Sequence, residues 1–235
     1  MTDAVPDRWL VALDIDGTVL HEDGTLTDAT VEAVARVRDA GHEVTLATGR
    51  SVAMTTPILE RLEIEPAYVV CSNGAITLAR DHNATLGYRR EFVETFNPTE
   101  VLRTIRENLA TANYAVEDER GHYRYTGWFP DGTLGAVSEK VEFEELLHDR
   151  ATRVVVISPG HAIEDFLSVV ERMGLHKVSY NVGWTAWLDI APDGVNKATA
   201  LERVRELLGI PRSRVMVVGA TRMLSGFSAE RPSSD

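Results

Sequence analysis

The chain is 235 residues long, 44% hydrophobic and 26% charged, enough apolar material for a core of ordinary size. Its formal net charge of -12 argues against a nucleic-acid partner, which needs clustered Lys and Arg, and its single cysteine, Cys71, rules out an internal disulfide framework. No apolar run reaches membrane-spanning length and the first residues are polar and acidic, unlike a secretory leader, so a cytoplasmic protein with no membrane partner is expected.

Residues 9–15 are an apolar run that reads as a buried parallel strand, and it ends in Asp14-Ile15-Asp16-Gly17-Thr18. Residues 27–40 read as a helix, capped by Thr27 or Asp28, with an apolar side of Val31, Val34, Ala35 and Val37 and a stop at Gly41. A second strand over 43–47 ends in Thr48-Gly49-Arg50, and a second helix covers 51–62. A third strand over 68–71 ends in Ser72-Asn73-Gly74. Strands alternating with helices, each strand closing in turn residues, predict an α/β protein with a parallel sheet.

The rhythm changes after residue 82. Helices are expected over 100–109, 143–148 and 163–173, and strands over 114–117, 122–125, 153–157, 176–180 and 185–189. This mixture reads as an α+β insert. The aromatic loop over 127–132 faces a substrate or packs as a hydrophobic turn, so Trp128 and Phe129, with Trp184 further on, are candidate pocket residues. The earlier pattern returns with a helix over 198–208, stopped by Gly209, and a fourth strand over 214–218 followed by Gly219. Residues 220–235 have weak helical character at most.

Ligands of open α/β sheets bind at the carboxyl ends of the strands, and the chemistry-bearing residues of this chain fall there. Asp14 can attack phosphorus and form an aspartyl phosphate, while Asp16 can protonate a leaving oxygen and then activate water. Together the two carboxylates suit Mg2+, a hard cation that prefers oxygen ligands. The plain alternative is a pair of solvated turn aspartates. Thr48 and the N–H groups after it can hold a phosphoryl oxygen, or Thr48 can cap the second helix. Arg50 can bind phosphate or lie on the surface, and Ser72, Asn73 and Gly74 can line the same crevice or form a turn. Lys197 opposes the dipole at a helix start, which suggests that a phosphate and carboxylates favour it there. The seven histidines show no compact metal-ligand spacing, and Cys71 reads as a buried strand residue.

Taken together these residues resemble the haloacid dehalogenase-like superfamily, and within it the Cof-type phosphatases. Asp14-Ile15-Asp16-Gly17-Thr18 matches the first motif, Thr48 within Thr48-Gly49-Arg50 the second, Lys197 the third, and Ser72-Asn73-Gly74 a segment common in Cof-type chains. The resemblance implies a Rossmann-like parallel-sheet core at 1–82 and 188–219, an inserted α/β cap at 83–187, and an atypical tail at 220–235. It implies catalysis by Asp14, Asp16, Thr48 and Lys197, with Mg2+ on Asp14 and Asp16. Gly17, Thr18, Gly49, Arg50, Ser72, Asn73 and Gly74 would contact a small phosphorylated metabolite.

The fourth motif departs from the family. Where a Gly-Asp-x-x-Asn-Asp stretch with metal-binding acids is expected, the chain reads Gly219-Ala220-Thr221-Arg222-Met223-Leu224. A truncated or altered C-terminus is the expectation, with weakened Mg2+ binding and impaired turnover. The fourth strand would then stand near a sheet edge that a second copy could cover as a homodimer. Three activities are in view: a Mg2+-dependent phosphomonoester hydrolase, a sugar-phosphate phosphomutase, and an inactive scaffold that still binds phosphorylated ligands.

Overall fold

The computed structural model describes residues 8–84, 86–130, 133–135, 137–147, 150–175, 178–182 and 186–219. The central strand β1 (Leu10–Leu13) is buried along its whole length. Its side chains alternate between two apolar clusters, as the twofold period of a strand requires. Val11 and Leu13 pack in one cluster with Val34, Ile58 and Leu59, which come from α1 (Asp28–Asp39) and α2 (Val52–Arg61). Leu10 and Ala12 pack in the other with Ala200, Leu201 and Val204 of α5 (Lys197–Leu207). Each such buried aliphatic side chain contributes roughly 1.5–3 kcal/mol. Helices on both faces leave the strand ends as the open surface.

β1 pairs in parallel with β2 (Glu43–Leu46) on one side and with β12 (Val215–Val218) on the other. β12 closes that sheet among the described residues, and Met216 and Val218 are exposed on it. β3 (Tyr68–Cys71) joins β2 through one parallel bridge, Ala47 to Val70. β4 (Ile76–Arg80) and β5 (Tyr88–Val93) then extend β3 antiparallel. The parallel expectation therefore holds around β1, while β4 and β5 were not anticipated. β4 follows a three-residue turn too closely for a crossover, so it has to run antiparallel.

A separate α+β unit follows where an insert over 83–187 is expected, although β5, inside those bounds, pairs with β4. It begins with α3 (Thr99–Asn108) and runs through β6 (Asn113–Glu117), β7 (Tyr123–Tyr125), β8 (Ser138–Lys140), β9 (Arg153–Ile157), α4 (Ile163–Met173), β10 (Val178–Val182) and β11 (Trp187–Pro192). The six strands form one sheet in the order β10-β11-β9-β6-β7-β8. Leu102, Ile105, Phe166 and Val170 from the two helices meet Tyr114, Val154 and Ile190 of the sheet in one core.

Several expectations need correction. Residues 143–146 form a 3-10 turn with Leu147 as its C-cap, and the last residue of the helix expected over 143–148 lies outside the described residues. The strand placed at 122–125 starts at Tyr123, since the His122 carbonyl accepts the Asp118 N–H within the preceding turn. The strand placed at 214–218 starts at Val215, after a 3-10 turn over Arg212–Arg214. Phe129 is buried beside Tyr125 with ring centroids 6.1 Å apart, a packing role, whereas Trp128 is exposed. Trp184 and the fourth-motif positions Ala220 and Leu224 lie outside the described residues.

Candidate active site

Asp14 follows the last residue of β1. Its N–H donates to the Val218 carbonyl at 2.9 Å, so the parallel ladder continues one step and holds this backbone. Its Oδ1 accepts from the Ile15 N–H at 2.8 Å and from Lys197 Nζ at 2.9 Å. The two partners are 183 positions apart in sequence and both side chains are largely buried, Asp14 at 13% exposure and Lys197 at 18%. Lys197 opens α5, whose N-cap Asn196 accepts from the Thr199 N–H while the Thr199 hydroxyl accepts from the Asn196 N–H. That reciprocal cap fixes the first turn and so the origin of the lysine stem.

Asp16 lies two positions on, at a turn that Gly17 completes with φ +69°. Its carboxylate is 61% exposed and accepts from Arg50, from Nη2 at 2.6 Å and from Nε at 3.1 Å and 3.2 Å. Thr48 is fully buried after β2, and its Oγ1 accepts the Arg50 N–H at 3.1 Å. Ser51 is the N-cap of α2, so Thr48 does not cap that helix. Gly17 and Thr18 line an open depression of about 770 Å3 together with Leu20, His21, Glu22 and Asp23.

Ser72-Asn73-Gly74 ties these parts together. The Ser72 N–H donates to the Arg50 carbonyl at 2.8 Å and the Asn73 N–H to the Thr48 carbonyl at 3.0 Å. A Cβ on Gly49 would stand 2.9 Å from Asn73 Oδ1, and one on Gly74 would stand 2.3 Å from the Asn196 carbonyl oxygen. This turn therefore touches both the Thr48–Arg50 loop and the start of the Lys197 helix. Ser72 and Asn73 adopt left-handed φ of +48° and +54°, a conformation that non-glycine residues rarely adopt. The structure thus gathers the three strand ends and Lys197 into one cluster around Asp14.

A profile of haloacid dehalogenase-like hydrolases matches residues 11–222 of the chain. The chain belongs to the haloacid dehalogenase-like hydrolase family. It is similar to the Bacillus subtilis 5-amino-6-(5-phospho-D-ribitylamino)uracil phosphatase YitU, 24% identical over 221 residues, 90% of this chain and 79% of that one. It is also similar to the pyridoxal phosphate phosphatase YbhA of Escherichia coli, 25% identical over 223 residues, 89% and 80% of the two chains. Among solved structures, a haloacid dehalogenase-like hydrolase from B. subtilis superposes with a TM-score of 0.73 at 17% identity, covering 92% of this chain and 86% of that one.

Within this hydrolase the donor set for a Mg2+ ion is thin. Among the described residues no group of three or more His, Cys, Asp or Glu converges. Asp14 and Asp16 are engaged by Lys197 and Arg50 respectively. β12 leads straight from the Asp14 contact to Gly219, and the next acid in sequence is Glu230. A hard dication wants about six oxygens at short range and usually takes more than one carboxylate. Two cation-paired carboxylates do not fit a tight site.

Sequence reasoning missed the acids and bases of the insert that face the cluster. Glu117, fully buried at the end of β6, accepts from the Ser72 hydroxyl at 2.8 Å. Burial pushes its carboxyl above the usual range, although Arg153 and the Ser72 hydroxyl pull it down. Arg153 at the start of β9 donates to Asp189 Oδ1 from Nε at 2.8 Å and Nη2 at 2.5 Å, and to the Tyr123 hydroxyl at 3.2 Å. The readable signal was a charge at the end of each of two otherwise apolar strands, which costs too much to bury unless the charges are matched. Cys71 is buried as expected, and burial pushes its thiol up to about 12, which keeps it unreactive.

Proposed function

We propose that this chain hydrolyses a phosphomonoester of a small metabolite through an aspartyl phosphate. The observation that carries the reading is Asp14 at the carboxyl end of the central parallel strand with Lys197 Nζ 2.9 Å from its Oδ1. The phosphatase names of YitU and YbhA support the same reaction class.

In the first half-reaction a carboxylate oxygen of Asp14 bonds to phosphorus as the bond to the leaving oxygen breaks, and Asp16 gives that oxygen its proton. In the second, Asp16 takes a proton from water, the water oxygen bonds to phosphorus, and the bond to Asp14 breaks. Lys197 balances charge on Asp14 and on the transferring group, and the Thr48 hydroxyl and the N–H groups near Gly49 hold equatorial oxygens. Gly17, Thr18, Ser72, Asn73 and Gly74 shape the pocket, and Arg50 orients Asp16. The insert acts as the cap that screens the leaving group from water.

Mg2+ would supply further neutralisation beside Asp14, but the residues at hand hold it loosely. We propose impaired turnover with Mg2+ saturation well above the micromolar range. The absence of acids between Gly219 and Glu230 also favours a second reading, a scaffold that binds phosphorylated ligands without turnover. Phosphate release from an aryl phosphate and a metabolite panel, with and without Mg2+, separates the two. Release that Asp14→Asn abolishes supports hydrolysis. Ligand binding with no release supports the scaffold, and saturation at micromolar Mg2+ overturns the claim of impairment.

A further inference from the structure

The Ser72–Gly74 turn has a partner that belongs to the insert. Glu117 is 0% exposed, its Oε2 accepts the Ser72 hydroxyl at 2.8 Å, and the Tyr123 hydroxyl is its second side-chain hydrogen-bond partner. Arg153 and Arg90 are the cations whose fields act on it. Arg153 is itself held by Asp189 and Tyr123, so Glu117 stands on a rigid base within the insert sheet. The same turn donates Ser72 N–H to the Arg50 carbonyl and Asn73 N–H to the Thr48 carbonyl, and presses Gly74 against the Asn196 carbonyl.

We propose that Glu117 is a positioning residue of the insert, holding the Ser72–Gly74 turn so that Thr48, Arg50 and Lys197 stay in register around Asp14. A buried carboxylate is costly to retain, and packing alone would be served by an apolar residue. What a carboxylate adds is a strong, directional acceptor for one hydroxyl. Ser72 sits at φ +48°, a conformation that persists where surrounding contacts over-determine it, and the Glu117 carboxylate is one of those contacts. Through two backbone hydrogen bonds and one close glycine contact, the insert then sets the geometry of a site it does not chemically join.

The inference rests on the phosphoryl-transfer reading for its functional half and on hydrogen exchange for its structural half. Glu117→Leu, which removes the acceptor, and Ser72→Ala in the full chain are compared with the parent. Amide exchange at Ser72 and Asn73 should speed up in both variants, with the fold otherwise retained. Vanadate, which mimics the five-coordinate phosphorus, should bind about tenfold more weakly, because misplaced donors hurt the transition-state geometry most. Orthophosphate affinity should fall much less, and the two substitutions combined should cost no more than either alone. A merely structural role would weaken both anions alike. Unchanged exchange at Ser72 and Asn73 overturns the proposal whether or not anions bind, as does equal loss of vanadate and orthophosphate. A parent chain that binds neither anion rejects the phosphoryl site, and the exchange data then decide the positioning claim by themselves.

Discussion

Gly74→Ala tests how tightly the site is set by backbone contact. The native φ is +101°, outside the region that side chains accept, and a Cβ would fall 2.3 Å from the Asn196 carbonyl oxygen, 2.6 Å from its carbon and 3.2 Å from the Lys197 nitrogen. The backbone strain costs about 1–2 kcal/mol. Carbon and oxygen cannot approach much below 3 Å, so the Asn196–Lys197 segment must retreat by roughly 0.7–1 Å, at a cost of about 1–3 kcal/mol in a packed interior. The total, about 2–5 kcal/mol, leaves a protein of ordinary stability folded. The displaced group is the origin of the Lys197 side chain, whose Nζ sits 2.9 Å from Asp14. A shift near 1 Å in a positioned group costs about a hundredfold in rate. Urea unfolding should show a lower midpoint with unchanged slope, and phosphate release, or vanadate affinity if release is slow, should drop by about that factor. A variant with the parent's midpoint and the parent's function would refute the reasoning.

Three further outcomes are expected. Asp189→Ala leaves Arg153, whose side chain is 6% exposed, without its carboxylate, and should cost about 3–5 kcal/mol in urea unfolding; a loss below about 1 kcal/mol would show that Tyr123 and Glu117 suffice. Because burial raises the Glu117 carboxyl above its unfolded value of 4.5, the folded state holds the proton more tightly than the unfolded state. Glu117 therefore costs stability as pH rises from about 4.5 through its raised folded value, and Glu117→Gln should gain on the parent across that window. Parallel urea midpoints for the two proteins from pH 5 to pH 8 would contradict this. Lys197→Met should lower phosphate release by about 10²–10³-fold while the fold persists, as judged by circular dichroism beside single-turnover kinetics.

The parts of the fold legible in the sequence were those with local signals. The strand at residues 10–13 announced itself by an unbroken apolar run ending in two acids, and α1 by a threonine cap and a closing glycine. Asp14, Thr48 and Lys197 were readable because each stands where a strand ends or a helix starts. The β4–β5 pair was not, because Ile76–Arg80 follows the Ser72–Gly74 turn with no polar spacer and its antiparallel course depends on β3 alongside. β8 was missed because all three of its residues are exposed and lack β propensity. Glu117 and Arg153 were invisible as site residues for a different reason. Their meaning lies in partners 45 and 36 positions away, Ser72 and Asp189, and no periodicity encodes such a match.

The two carboxylates at the centre differ in a way that sequence spacing alone cannot express. Asp14 is 13% exposed and bound to an ammonium, while Asp16 is 61% exposed and bound to a guanidinium at the surface. On the proposed reading the first forms and breaks a bond to phosphorus and has no need to trade protons with bulk water. The second must give up a proton in one half-reaction and recover one in the next, which contact with water makes easy. Arg50 bonds to both oxygens of Asp16, so it can hold the plane of the carboxylate while an edge stays open to a leaving oxygen. The same Arg50 offers its carbonyl to Ser72. The orientation of the acid is thereby joined to the turn that Glu117 anchors, and loosening that turn should disturb proton transfer along with phosphoryl binding.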